Sequence, residues 1–279
     1  SSIASTQKIT NAMKMVSAAK LKKTESRTTS FLPYREKLYE ALTNYLGSIE
    51  GEVTIPLAEH REVKRVALMA ITSDSGLCGV YNTSVIKLFR KAYDDYACRL
   101  GTDNIDVYLF GKKIKEYAEK NGIAVRETYR SLDTSLFFDF VTELGDKFMK
   151  QFINHETDSV AIIFSHYKST GVQTPQQETL LPLNPRTQQH GAALDYIVEP
   201  SKETFINTIV PLVIRAKLYS VMLDALTAEH AARMTAMHIA SDNANTLLQE
   251  LKIQYNKARQ NVITSELIDI VGGAEALNK

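Results

Sequence analysis

The stretch TSDSGLCGVYNTS, residues 72 to 84, sets Gly76 and Gly79 around Cys78, after an apolar run and before a run with helical spacing. A glycine turn that leads from a strand into a helix N-terminus can hold an anion, because the first amides of a helix lack intrahelical partners. The spacing here is GxxG. It fits neither GxGxxG nor GxxxxGK[ST], and no acidic ribose-binding residue follows the next strand, so a tight turn offered to a protein partner is the better reading. Cys78 could act as a nucleophile, but no histidine or second cysteine stands near it in sequence, which favours a small packed residue. Arg233 in EHAARMTAMHIASDN, and Arg259 with Gln260 in NKARQNVIT, are polar groups beside an apolar seam, as are Thr264 and Glu266. Such groups are either solvated helix positions or donors and acceptors toward an enclosing protein. The six histidines form no HExxH pair, and Cys78 and Cys98 are too few for a disulfide framework or a zinc site, which fits a reducing compartment. No catalytic residue, cofactor or metal is expected.

The bulk properties narrow the classes further. With 279 residues and 44% hydrophobic content the chain can build one large domain or two ordinary ones. No apolar run reaches the length of a membrane span, and SSIASTQKITNAMKM lacks the apolar block of a secretory signal. A net charge of +1 argues against wholesale nucleic-acid binding, yet residues 1 to 30 hold Lys8, Lys14, Lys20, Lys22, Lys23 and Arg27 against Glu25 alone. That excess points to an acidic partner or to a lysine-rich solvated face. Met13 and Met15 in AMKMV read as seam packing.

Three zones must position these groups. From Ser1 to about Leu46 apolar or small residues recur at Ile9, Met13, Val16 and Ala19, the spacing of a helix, which GSIEGEVTIP then breaks. The middle zone alternates: VKRVALMAIT as a buried strand, NTSVIKLFRKAYDDYACRLG as a helix capped by Asn82 or Thr83 and stopped at Gly101, and NIDVYLFG as a strand. KKIKEYAEKNG as a helix, IAVRETYR as a strand, SLFFDFVTELGDKFMKQF as a helix and SVAIIFSHYK as a strand complete a mostly parallel sheet. QQETLLPL and LDYIVE are expected as an antiparallel addition around a mobile loop, NPRTQQHG. The fold class is α/β, a Rossmann-like domain over residues 63 to 199 inserted into a long antiparallel coiled coil, with segments 1 to 62 and 200 to 279 as its two arms.

The last zone opens after Pro200, with Ser201 as a cap and the long helix proper expected to start at Pro211. Ile214, Leu218, Val221, Ala225, Ala228, Ala232, Ala236, Ile239, Ala244, Leu247, Leu251, Ala258 and Val262 alternate steps of three and four with one stutter. Sixty residues make a rod roughly 90 Å long, of which the N-terminal helix can cover about two thirds. In NKARQNVITSELIDIVGGAEAL, Val262, Ile263, Leu267, Ile268, Ile270 and Val271 fall on nearly every side of a helix. The tip is therefore expected to be sheathed by other chains.

QKITNAMKMVSAAKLKK, TSDSGLCGVYNTSV and the block from EHAARMTAMHIASDN to GGAEAL resemble, in this order, three signature segments of the gamma subunits of F-type ATP synthases. The resemblance spans almost the whole chain, and the last block is the most specific. It implies a non-catalytic rotor shaft turning inside an alpha3beta3 hexamer, with its foot on epsilon and the c-ring, peripheral to the cytoplasmic face of a bacterial inner membrane. Arg233, Gln260, Thr264 and Glu266 are similar to positions meeting beta in the upper bearing. Met13, Lys20, Lys22 and Lys23 are similar to those near acidic lever loops of beta, and Cys78 to a loop reaching beta from below. The family has a turn or two of helix before IASTQKIT, and no cysteine-bearing regulatory insertion is visible. Two other readings compete: a coiled-coil adaptor with an α/β head, and a nucleotide-binding enzyme using the Gly76 loop.

Overall fold

The computed structural model describes residues 2–48, 55–130, 137–184 and 202–277. Two long helices, α1 (Ser2–Ser48) and α5 (Lys202–Leu277), enclose in sequence a five-stranded sheet. Its strands are β1 (Val66–Ile71), β2 (Ile105–Phe110), β3 (Glu127–Tyr129), β4 (Ser159–Ser169) and β5 (Val172–Leu181), in spatial order β3-β2-β1-β4-β5. The first four run parallel and β5 returns antiparallel to β4. The connections carry α2 (Tyr81–Leu100), α3 (Lys112–Lys120) and α4 (Phe137–Ile153).

β1 and β2 are buried along their whole length, as strands covered on both faces must be. Leu68, Val107 and Ile163 face α2 and α3, while Met69, Tyr108 and Ile162 face α4 and the base of α5. IAVRETYR yields only the three residues of β3, because this edge strand has one neighbour and no buried side chain, Glu127 and Tyr129 being half-buried and Thr128 exposed. LDYIVE, NPRTQQHG and Ser201 lie outside the described residues.

A polar knot closes the lower end of the sheet. Asp158 Oδ2 accepts the backbone N–H groups of Lys64 and Arg65, each at 2.9 Å, and Oδ1 accepts Arg61 Nε at 2.6 Å. Burial pushes the Asp158 carboxyl up, but these donors outweigh it and hold the group below the usual carboxylate range.

Two expectations about the long helices need correction. α5 does not start at Pro211 but at Lys202 and runs through the proline. Ile206, Ile209 and Val210, just ahead of it, are core residues, and their burial offsets the roughly 3 kcal/mol that an interior proline costs. On α1 the stripe facing α5 is Thr10, Ser17, Leu21, Thr24, Leu42 and Tyr45, whereas Ile9 is 59% exposed and Val16 and Ala19 also face outward. Polar side chains can occupy this seam because they are satisfied locally: Thr10 Oγ1 donates to the Gln7 carbonyl and Thr24 Oγ1 to that of Leu21.

The two helices are antiparallel. Gln7 donates to Asn245, Ser241 Oγ donates to Asn11 at 3.0 Å, and Arg35 Nη1 donates to Ser220 Oγ at 2.7 Å. Continued upward, this register sets Ser2 beside about residue 250. The buried seam of α5 ends at Ala244, and it includes Met237 and Ser241 in place of Ile239, which is exposed.

Candidate partner interface

The turn between β1 and α2 is built as a rigid bracket against α5. Asn82 does not cap α2: its Oδ1 accepts the Ser73 N–H at 3.0 Å and its Nδ2 donates to Cys78 Sγ at 3.1 Å, while Val80 holds the N-cap position without a side-chain cap. The Ser73 N–H, one amide that an anion would need, is thereby taken. Gly79, at φ +59°, faces α5 so that a Cβ added to it would stand 3.9 Å from the Ala236 methyl, and Tyr81 Oη donates to the Ala225 carbonyl at 3.1 Å. At the neighbouring turn Gly111, at φ +91°, lies so close to Thr72 that a Cβ would meet its carbonyl oxygen at 2.2 Å.

Cys78 is only 2% exposed, so its side chain cannot be the surface that this loop offers. Packing against Tyr81, Ala228 and Ala232 turns the sulfur inward, as the reading of a small packed residue expects. The outward residues are Leu77, 64% exposed and held at φ +62°, and Val80, 76% exposed. A left-handed non-glycine residue with a large apolar side chain in solvent is costly on two counts. Sequence reading missed both residues, although two large aliphatic side chains in a glycine turn were a usable signal.

Arg233 is also placed differently from expectation. Its Nη1 donates to Glu229 Oε1 at 2.6 Å and its Nη2 to Ser75 Oγ at 3.0 Å, with both charged side chains about nine-tenths covered. Burial pushes the Glu229 carboxyl up, and the Arg233 charge opposes it. Arg233 thus serves its own chain's loop, and it lies about 40 Å along the helix from Gln260, too far to share one patch with it.

The remaining candidates face outward. Lys20, Lys22 and Lys23 are exposed, and Met13 is half-buried beside exposed Ile9, Met15 and Val16, roughly level with Ile239 of α5. Every residue from Leu251 to Ile270 is exposed. Gln260, Thr264 and Glu266 are among them, with Thr264 Oγ1 donating to the Gln260 carbonyl at 2.8 Å. Ile253, Val262, Ile263, Leu267, Ile268 and Ile270 put apolar area on several sides of one helix, far more than a solvated helix carries. Among the described residues no cluster of metal-ligating side chains occurs and no helix is long and apolar enough to cross a membrane.

A family profile described as ATP synthase matches residues 1–277. The ATP synthase gamma chain of Flavobacterium johnsoniae is 44% identical over 278 residues, covering 99% of this chain and 96% of that protein. The gamma chain of Bacteroides fragilis is 44% identical over 280 residues, with the same coverage. This chain belongs to the ATP synthase gamma chain family. Among solved structures, a chain of the Euglena gracilis mitochondrial ATP synthase in rotational state 3 aligns with TM-score 0.63 at 19% identity, over 99% of this chain and 91% of that one. A chain from the central stalk and c-ring of the Tetrahymena thermophila enzyme aligns with TM-score 0.60 at 22% identity, over 84% of this chain and 99% of that one. These two carry the same fold: paired terminal helices around a mixed sheet. Membership in the gamma chain family removes the reading as an adaptor outside a rotary machine.

Proposed function

We propose that this gamma-family chain is the central rotor shaft of an F-type ATP synthase, a non-catalytic subunit that couples ion-driven rotation of a c-ring to conformational change at catalytic beta subunits. The observation that carries the proposal is the stretch Leu251–Ile270, a continuation of the shaft helix with large aliphatic groups exposed around it. Such a surface fits the bore of a surrounding hexamer. A shaft changes nucleotide affinity only by interacting differently with different conformations of the subunits around it, so its contacts must be asymmetric. The outward stripe of α1, with Ile9, Met13 and Val16 on the apolar side and Lys20, Lys22 and Lys23 as cations, suits acidic lever loops of beta. Gln260, Thr264 and Glu266 suit polar loops in the upper bearing. The loop around Cys78 meets beta through Leu77 and Val80. The foot joins epsilon and the c-ring, which puts the chain at the periphery of the membrane, on the cytoplasmic side in a bacterium.

Reconstitution tests this reading. The chain mixed with alpha and beta should assemble in a 1:3:3 ratio and raise ATPase turnover, while alone it should neither bind nor hydrolyse ATP. Tight stoichiometric ATP binding by the pure chain, or a hexamer whose hydrolysis ignores it, would overturn the proposal. Within the assembled enzyme Met13→Lys should lower protons pumped per ATP more than assembly, because an added cation beside a lever contact favours one orientation over the others.

A further inference from the structure

Between Asp224 and Thr235, α5 passes through bonds from two separate loops of the foot. On the side of the β4–β5 hairpin, Asp224 Oδ1 accepts the Tyr167 N–H at 2.9 Å, and its Oδ2 lies 2.5 Å from His166 Nδ1. About 16 Å further along the helix, Thr235 Oγ1 donates to the Thr170 carbonyl at 3.0 Å. On the side of the β1–α2 turn, Tyr81 Oη reaches the Ala225 carbonyl and Arg233 reaches Ser75. Tyr167 Oη then crosses to the other helix and donates to Glu25 of α1 at 2.6 Å.

The buried apolar side chains of α5 at this level are Ala225, Ala228, Ala231 and Ala232, set among the buried polar Thr227, Glu229 and His230, and their methyl groups interlock far less than the leucines and isoleucines lower down. An alanine seam lets backbones come close, but dispersion contacts between small groups resist turning or sliding weakly. Hydrogen bonds are short-ranged and directional, and weaken steeply when misaligned. Advancing the helix by a single residue turns it by about 100° and breaks every bond of the ring at once.

We infer that this ring is a keyed joint that carries torsional load between foot and shaft, with Tyr167 and Thr235 as positioning residues that touch both. The inference rests on the rotor reading, since a load path matters only where torque passes. Its chemistry is conventional and its placement is the point: the joint ties both shaft helices to the foot over about three turns of α5, where apolar packing alone would slip.

The test uses the assembled enzyme. Cys98 is exposed and Cys78 is buried, so a probe bead can be attached selectively to the foot while the hexamer is fixed to a surface. The angular fluctuations of the bead, with rotation arrested, measure the torsional stiffness between foot and hexamer. The triple variant Tyr81→Phe, Tyr167→Phe, Thr235→Val deletes two phenolic hydroxyl groups and exchanges one hydroxyl for a methyl group, with side-chain volumes nearly kept. It should at least double the angular variance. Ile206→Ala, a core change about 27 Å down α5 from Asp224, should leave the variance at the parent value even where it lowers the melting temperature more. Equal variance in the triple variant and the parent, with both rotating, would overturn the joint and leave the rotor intact. A parent complex that never rotates would overturn the rotor reading and the load path with it. Hydrogen exchange on the isolated chain supplies a second check: amides of the two gripping loops should exchange at least tenfold faster in the triple variant. Unchanged exchange there would also count against the joint.

Discussion

One helix, α5, leads two lives. From Ile206 to Ala244 its core-facing side chains are covered by the sheet, by α4 and by α1, and polar groups such as Asp224, Arg233 and Ser241 are engaged by the foot or by α1. From Leu251 to Ile270 the same unbroken helix shows aliphatic groups to solvent around its circumference. The lower stretch narrows to alanines where a second backbone must come close, and the upper stretch carries Ile, Leu and Val where none of the described chain approaches. Side-chain size along a helix therefore tells whether the expected neighbour is a backbone at close range or a wider cavity wall. Coverage by its own chain tells which neighbours the sequence already supplies.

The contrast breaks most plainly under core truncation. Leu218→Ala, at a fully buried position against α4, should destabilise the isolated chain by about 2–5 kcal/mol in thermal or urea unfolding. A loss under about 1 kcal/mol would mean that the lower half is not packed as described. Next in size is Asp158→Asn. Folding lowers the pKa of this carboxyl, so the unfolded chain binds its proton more tightly; the stabilisation is complete above the ordinary carboxylate range near pH 4 and lost as pH falls below it. The variant should cost about 1.5–3 kcal/mol at neutral pH and flatten the acid limb of the stability curve. An unchanged acid limb would remove Asp158 as its source.

The upper half should respond in the assembly and not in isolation. Gln260→Leu should lower the ATPase of the complex, with a cost of about 1–3 kcal/mol at a buried partner contact, while the free chain keeps its melting temperature. The smallest effect is Ile268→Ala in the free chain, under about 0.5 kcal/mol. A large loss of stability from either change, with a normally active complex, would show the tip packing against its own chain and would erase the difference between the two halves.

The alternation of strands and helices was legible because each element buries a definite face and the periods of two and three to four stand out. The seam of α1 was not. Apolar residues stand on two of its faces, and the face that meets α5 carries Thr10, Ser17 and Thr24, which hydrophobic periodicity passes over in favour of Ile9 and Val16. Only the knowledge that threonine can satisfy its hydroxyl on the preceding turn would have allowed that choice. The glycine turn was found, but not which of its residues point outward: burial of Cys78 depends on Asn82 and on a helix more than a hundred residues away. The bond of Arg233 to the glycine turn was hidden for a related reason. Its motif groups it with the end of the chain, while its geometry binds it to Ser75.

The two shaft helices also meet at their lower ends, where the rings of Tyr45 and Phe205 lie 4.5 Å apart between centroids. The chain thus leaves one helix for the whole sheet and comes back to within a side chain's reach of its point of departure. In genetic terms the foot occupies an insertion site in a helical hairpin. Those parts of it that touch neither shaft helix can be lengthened or trimmed at little cost to the pairing of the hairpin, provided the two aromatic gateposts still touch.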